Sequence, residues 1–191
     1  MILITLPVAM SAFEETRRSL LVSLGALAMG QALPEAATEA QTRPPGSVLS
    51  PTEGEQLVHF RDRGKILIKV GSTTGSETLA LGTQQVMAGT GIPIHRHLQM
   101  DEAFYILEGS GICTLNDERH AFEKGATIFI PKNSWHGFAN PDHELLLLWI
   151  VTPAGLEGFF RETCSPPGAP PRQLTREQIN EIARKHATEF R

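Results

Sequence analysis

Four residues of metal-binding type stand at close spacing in the middle of the sequence: His95, His97 and Glu102, followed by His136. Three imidazoles and a carboxylate make a complete set of protein ligands for a divalent first-row transition metal. His95 and His97 are two residues apart, so on an extended strand both side chains leave the same face. Glu102 has the opposite parity to His97, which predicts that residues 98–101 turn the chain between two strands. The spacing therefore predicts a metal site that two strands build and His136 completes.

Glycine, proline and asparagine flank these ligands at regular intervals. The first block reads G-x5-H-x-H-x4-E-x6-G from Gly89 to Gly109, and the second reads G-x5-P-x-N-x2-H-x3-N from Gly125 to Asn140. The two blocks resemble the two signature motifs of the cupin superfamily, except that Asn133 stands where the family usually has glycine. Asparagine tolerates positive φ best after glycine, so we expect a left-handed backbone at Asn133.

The resemblance extends over residues 48–161. This segment is similar to the small single-domain bacterial cupins that are often compared with quercetin dioxygenases. The resemblance implies one jelly-roll barrel, with His95, His97, Glu102 and His136 as ligands of a single ion. In those dioxygenases the glutamate also serves as a base, which implies that Glu102 is a metal ligand and the candidate catalytic residue. The implied function is a metal-dependent oxygenase that acts on a small aromatic or enol-containing molecule.

The ligand chemistry alone leaves the metal and the reaction open. Iron, manganese, nickel, copper and zinc all accept histidine and carboxylate ligands, and four protein ligands leave one or two positions for water, dioxygen or substrate. Cupins with this set of ligands catalyse several reactions, and fold alone does not choose among them. A metal-dependent isomerase or lyase and a non-catalytic small-molecule or metal-binding cupin are the two alternatives.

Strand alternation predicts which side chains share the interior with the ligands. Phe104 and Ile106 have the parity of Glu102, and Phe138 has the parity of His136. We expect these three residues to line an apolar substrate pocket beside the ion. Tyr105 and Trp135 have the opposite parity, which predicts that they lie outside the barrel.

The remaining histidines and the two cysteines are not predicted to be ligands. A lone histidine is more often a core or surface residue, and this is the interpretation for His59, His120, His143 and His186. Two cysteines, Cys113 and Cys164, are too few for a zinc site or a disulfide framework. A bridge between the two remains an alternative in an oxidising compartment.

Composition excludes several classes of partner. The 191 residues carry a formal net charge of −4 with no basic stripe, so we expect no binding to nucleic acid. No apolar run approaches the roughly 18 residues that a membrane-spanning helix requires. The expected partners are a small-molecule substrate and a second copy of the chain, because cupin barrels commonly form homodimers through sheet edges and exchanged termini.

The chain divides into three parts by composition. Residues 1–47 resemble a twin-arginine export signal with a linker, because Arg17 and Arg18 precede a mildly apolar stretch and small residues. This predicts a periplasmic or secreted protein; a retained helix in a cytoplasmic protein is the alternative. Residues 48–153 are predicted to form the cupin barrel, and residues 154–191 a helical tail.

Short strand-like runs between turn signals predict an all-β barrel. They cover residues 57–60, 66–70, 78–86, 103–107, 112–115, 126–130, 136–139 and 145–151. Asn116 and Asp117 join residues 112–115 to residues 118–122 and predict a tight hairpin. In the tail, Thr175 and Gln178 predict a capping box that starts a last helix. Its apolar face is expected to hold Ile179, Ile182, Ala183, Ala187 and Phe190.

Overall fold

The computed structural model describes residues 46–140 and 142–191. Apart from its last two positions, the signal-like segment predicted over residues 1–47, with Arg17 and Arg18, lies outside the described residues. No helix within the described ranges is long and apolar enough to cross a membrane. The strands are β1 Glu55–Val58, β2 Lys65–Val70, β3 Ala80–Val86, β4 Ile92–His97, β5 Asp101–Glu108, β6 Ser110–Leu115, β7 Glu118–Glu123, β8 Thr127–Ile130, β9 His136–Ala139, β10 Leu145–Thr152 and β11 Thr188–Phe190; the helices are α1 Leu156–Thr163 and α2 Arg176–Lys185.

These strands form the two antiparallel sheets of a jelly roll. The first sheet has the order β1-β2-β3-β10-β5-β8, and the second has the order β11-β4-β9-β6-β7. Apolar side chains from both sheets and from α1 form one core cluster. The all-β barrel with short C-terminal helices that the sequence predicts is confirmed.

The centre of the first sheet depends on a close contact between Gly82 and Trp149. These residues face each other in register on β3 and β10, and the Trp149 side chain is 1% exposed. A Cβ atom at position 82 would lie 2.5 Å from the indole ring and 2.2 Å from the carbonyl oxygen of Leu67. Glycine is therefore required here by the space that the indole ring and the neighbouring strand occupy.

Two turns predicted from asparagine have the expected backbone. Asn116 and Asp117 have φ values of 49° and 72°, and they join β6 to β7 in a two-residue hairpin. Asn133 has a φ value of 68°, so it adopts the left-handed conformation for which the family usually employs glycine. Both predictions are confirmed.

The C-terminal tail begins as predicted and ends differently. Thr175 and Gln178 form the capping box of α2, each side chain accepting a hydrogen bond from the other's backbone N–H. The prediction that one helix continues through Ala187 and Phe190 is wrong. Ala187 has a φ value of 49°, which ends the helix, and Phe190 lies in β11. The open edge of β4 offers unpaired backbone groups, and pairing with them is more favourable for this segment than another helical turn.

The two cysteines do not form a bridge. Cys113 lies in β6, Cys164 follows α1, and both are free and buried. Burial raises the pKa of each thiol to about 11, so both remain protonated at neutral pH. Cys113 packs as a small apolar residue in the core.

Candidate metal centre

The structure brings the four predicted ligands together. His95 and His97 lie on β4, Glu102 on β5 and His136 on β9. One ligand atom from each residue lies within 4.8 Å of the others, and all four side chains are buried. Because β5 belongs to the first sheet and the two histidine strands to the second, the carboxylate reaches the imidazoles across the barrel.

The loops on both sides of the site are fixed by hydrogen bonds to the ligand strands. The chain turns between His97 and Asp101, as the parity of Glu102 predicts. The backbone N–H of Asn133 donates to the carbonyl oxygen of His97 at 2.7 Å, and that of Lys132 donates to the Asp101 carboxylate at 2.8 Å. The loop before β9 is thereby tied to the loop between β4 and β5, which fixes His136 relative to the other ligands.

Each imidazole is held in one tautomer by the partner of its Nδ1 atom. His95 Nδ1 lies 2.8 Å from the Pro93 carbonyl oxygen, and His136 Nδ1 lies 3.0 Å from the Ser134 carbonyl oxygen. A carbonyl oxygen can only accept, so both Nδ1 atoms carry the ring proton. The lone pair of each ring is then on Nε2.

The tautomer of His97 is set by a residue near the C-terminus. Its Nδ1 atom lies 2.9 Å from the Thr188 hydroxyl oxygen, and that hydroxyl donates to the His186 carbonyl oxygen at 3.1 Å. Since the hydroxyl proton is used on the carbonyl, the Thr188 oxygen accepts from His97. All three imidazoles therefore present an Nε2 lone pair, which is the arrangement that metal ligation requires.

The distances at the centre fit a shared cation. Glu102 Oε2 lies 3.2 Å from His97 Nε2 and 3.1 Å from His136 Nε2. With the ring protons on Nδ1, these contacts place lone pairs against each other and are repulsive without a cation between them. Ligand atoms about 2.1 Å from one ion and at right angles would be about 3 Å apart. The donor set and its geometry therefore fit a divalent first-row transition metal.

The protonation states of the ligands also favour a metal. Burial, together with the neighbouring His136 and His97, holds the pKa of His95 well below its usual value. Burial raises the pKa of Glu102, whereas positive charge at His97 and His136 lowers it, and the balance lies below the usual range. With all three imidazoles neutral, a bound metal ion would supply that positive charge and keep Glu102 ionised.

A cavity of about 340 Å³ opens beside the cluster. His95, His97 and Glu102 form part of its wall, and the apolar part comes from residues of the barrel and of the C-terminal tail: Ile92, Phe104, Leu156, Phe159, Phe160, Ile179 and Phe190. A volume of this size lies at the lower end of the range for small-molecule sites. Three of the four candidate ligands therefore face a partly open and mostly apolar space.

The three residues predicted to line the pocket lie at different depths. Phe104 is on the cavity wall, whereas Ile106 and Phe138 belong to the hydrophobic core. Tyr105 is 44% exposed, as alternation predicts. Trp135 lies just before β9 and is half-buried, and Arg96 stacks over its indole ring at 4.6 Å from the centroid.

Sequence reasoning missed several residues of the wall. His59 was expected to be an ordinary core histidine; it is 3% exposed and lines the cavity together with Arg61. Thr188 and Phe190 reach the site through β11, which pairs with β4. The strand propensity of the last residues was the one signal that could have placed them beside β4.

The hydrogen bond between Thr188 and His97 leads to a testable prediction. We expect Thr188→Val to weaken metal binding by about 10–100-fold, because His97 loses the acceptor that fixes its tautomer. Thr188→Ser should bind as the wild type does. The measurement is the dissociation constant for zinc by competition with a chelator.

The matched control for this prediction is Thr152→Val. The Thr152 hydroxyl also donates to a carbonyl oxygen, that of Thr78, but this residue does not line the cavity. Wild-type affinity in Thr188→Val, or equal losses in the two valine variants, would contradict the role assigned to Thr188.

Comparison with known proteins places this barrel in a family. Residues 82–152 match the sequence model of the cupin domain. The chain is 31% identical over 134 residues to the dimethylsulfoniopropionate lyase DddW of Ruegeria pomeroyi, and the match covers 69% of this chain and 82% of the lyase. An uncharacterized protein of Methanocaldococcus jannaschii, MJ1618, is 37% identical over 65 residues, which cover 31% of this chain; the match spans about half of that relative, 52% of its length.

A solved structure shares the fold. The polyketide cyclase RemF from Streptomyces resistomycificus superposes with a TM-score of 0.51 at 19% sequence identity. The match covers 71% of this chain and 92% of the cyclase. From its domain match, the extended similarity to DddW and its jelly-roll barrel, we conclude that the chain belongs to the cupin superfamily.

Proposed function

We propose that this cupin is a metal-dependent oxygenase that acts on a small aromatic or enol-containing molecule. The observation that carries the proposal is the position of the metal ligands on the wall of an apolar cavity of about 340 Å³. A sugar, whose hydroxyl groups cover most of its surface, would place several of them against the apolar part of this wall. An aromatic molecule would replace water there and gain apolar contact.

Aromatic side chains of the wall would bind and orient the substrate ring. Phe190 lies 5.6 Å from the His95 ring and 6.0 Å from Phe159, measured between ring centroids. Phe159 in turn lies 6.1 Å from Phe160. These separations are within the range of aromatic pairs, so a substrate ring among them would be held in a defined plane and shielded from water.

Glu102 is the candidate base. When bound, a first-row ion held by four protein ligands supplies one or two open coordination positions, Lewis acidity and, for iron, manganese, nickel or copper, a partner for dioxygen. Glu102 is the one carboxylate on the wall of the described cavity, and its lowered pKa makes it a weak base. A phenol or an enol would give its proton to so weak a base if the bound ion lowered the pKa of the hydroxyl. The base and the apolar wall therefore favour the same class of substrate.

An oxygen-uptake assay tests the proposal. We expect metal-loaded protein to consume dioxygen with a phenolic or enolic compound, and Glu102→Gln to keep most of its metal while losing at least tenfold in turnover. Glu108→Gln is the control, because Glu108 lies on the same strand but is exposed and paired with Lys124. Full turnover in Glu102→Gln would contradict the role of Glu102 as base. Absence of dioxygen uptake with a broad panel of phenolic and enolic compounds would contradict the oxygenase function.

The similarity to DddW favours a lyase as the second candidate. A lyase needs no dioxygen, so loss of dimethylsulfoniopropionate under anaerobic conditions would identify this activity. An elimination also needs a base, and Glu102 is the carboxylate on the described cavity wall that could supply it.

A further inference from the structure

The cavity wall carries the guanidinium group of Arg61, which makes no hydrogen bond to any of the described residues. Arg61, in the loop between β1 and β2, lines the cavity together with the metal ligands. Its Nε and Nη2 atoms are buried and have no hydrogen-bond partner in the described part of the chain. The Asp62 carboxylate lies 3.7 Å from Nη2, beyond hydrogen-bond distance. A buried donor without an acceptor carries a free-energy cost, which is larger for a charged group.

Nearby arginines differ from Arg61 in this respect. Arg191, also on the cavity wall, lies 2.7 Å from the Asp117 carboxylate. Arg96, on β4, lies 2.6 Å from the Glu189 carboxylate. Arg191 and Arg96 thus each form a close ion pair with a carboxylate, whereas Arg61 lies 3.7 Å from the Asp62 carboxylate.

The loop that carries Arg61 is rigid without any help from its guanidinium. The buried Asp62 side chain accepts hydrogen bonds from the backbone N–H groups of Gly64 and Met87, both at 3.2 Å, and from the Thr90 hydroxyl at 3.3 Å. Asp62 therefore takes its hydrogen bonds from other donors, and Arg61 acts on it through charge alone at 3.7 Å. The hydrogen-bonding capacity of the guanidinium is not used by the loop.

His59 places a second donor on the same wall. Its Nδ1 atom accepts the backbone N–H of Arg61 at 3.0 Å, so the ring proton is on Nε2. Burial, followed by the charge of Arg61, lowers the pKa of His59 to about 3, and the ring stays neutral at physiological pH. Nε2 has no hydrogen-bond partner within the described residues, which leaves it as a donor. His59 and Arg61 together offer donors and no acceptor.

We propose that His59 and Arg61 form an anion subsite that binds a carboxylate of the substrate. This inference rests on the proposed function and narrows it to an aromatic or enolic acid. One end of the molecule would reach the metal ligands while its carboxylate pairs with Arg61. The Nε and Nη2 atoms form the edge of a guanidinium that binds a carboxylate side-on through two parallel hydrogen bonds. Both atoms are covered by protein here, so binding requires the Arg61 side chain to turn this edge toward the cavity. The substrate would thus supply the acceptors that the protein does not.

Two probes that differ by one carboxylate test the subsite. Catechol and the dihydroxybenzoates share the two metal-binding hydroxyl groups, and only the latter carry an acid. We expect 2,3- or 3,4-dihydroxybenzoate to bind the metal-loaded protein at least tenfold more tightly than catechol. Arg61→Gln should abolish this preference and leave the catechol affinity within about twofold. The readout is anaerobic titration calorimetry, which does not depend on turnover.

Two further variants separate a subsite from a general charge effect or a structural role. Arg176→Gln removes an exposed cation of the same wall and should keep the preference. Arg61→Lys should keep part of it, since the charge remains and the planar fork is lost. Arg61→Gln should melt below the wild type, because it leaves the buried Asp62 carboxylate without its nearby cation, so the retained catechol affinity serves as the evidence that the variant is folded.

Three results would overturn the subsite: equal affinity of the wild type for catechol and both acids, a preference that survives Arg61→Gln, or equal losses in Arg61→Gln and Arg176→Gln. The proposed function fails separately. If the protein binds the acid more tightly but never consumes dioxygen, the anion subsite is supported and the oxygenase function is contradicted. If it consumes dioxygen without this preference, only the anion subsite is contradicted.

Discussion

His136→Ala should remove the bound metal from the purified protein. The wild type is expected to carry about one first-row transition metal per chain. His136 is fully buried, and its Nε2 atom contacts Glu102. The alanine variant therefore loses one of the four candidate ligands, and His95 and His97 are already ligands and cannot take its place. The loss should exceed the roughly 100-fold that removal of an outer partner can cost. Elemental analysis by mass spectrometry measures the metal content directly.

A melting experiment gives an independent measure of the same effect. At a free metal concentration about 1,000 times the dissociation constant, binding stabilises the wild type by about 4 kcal/mol. A chelator should therefore lower the melting temperature of the wild type and leave that of His136→Ala unchanged. His120→Ala is the matched control, because His120 is exposed on β7. Stoichiometric metal in His136→Ala, or none in the wild type, would contradict the metal centre.

Gly82→Ala should destabilise the barrel by about 3 kcal/mol, the upper end of the usual cost of overpacking. A methyl group at this position would meet the indole ring of Trp149 at 2.5 Å and the carbonyl oxygen of Leu67 at 2.2 Å. One obstacle is a fully buried ring and the other is backbone, so neither can move cheaply. By propensity alone the same change would stabilise a strand by about 0.5–1 kcal/mol. The sign of the change in unfolding free energy therefore decides whether the close contact of Gly82 with Trp149 and Leu67 limits the size of the side chain at this position.

Urea unfolding of the metal-free protein measures this difference. Gly46→Ala is the control, because position 46 is exposed and an added Cβ atom meets nothing within 4 Å. In a Trp149→Leu background Gly82→Ala should cost less than it does in the wild type, since only the contact with Leu67 would remain. A Gly82→Ala protein as stable as the wild type would show that the neighbouring strands β2 and β10 can move away from β3 at low cost.

Local patterns in the sequence were sufficient for the parts of the site that lie on consecutive elements. The two-residue spacing of His95 and His97 fixed their common face, and the parity of Glu102 required the turn that the structure contains. The same local chemistry predicted the left-handed Asn133 and the hairpin at Asn116. Each of these depends on a few neighbouring dihedral angles, which is why residue type and spacing determined them.

Depth within the barrel could not be predicted in this way. Strand alternation assigns a side chain to the inner face, but it does not say whether that face meets a cavity or the packed core. Phe104 and Ile106 share a face of β5, yet only Phe104 borders the cavity. The difference arises because the neighbouring strands and the C-terminal tail fill the barrel at one end and leave space at the other.

The sequence by itself determined the barrel, the four candidate metal ligands and the start of the last helix, because each has a local signature. Only the tertiary structure decided which distant residues complete the site. Thr188 reaches His97 across 91 residues, and its segment forms β11 because the edge of β4 is there to pair with it. Arg61 joins the cavity through the fold of the β1–β2 loop, for which the sequence gives no periodic signal. Contacts of this kind depend on where whole strands are placed, and no local propensity specifies that.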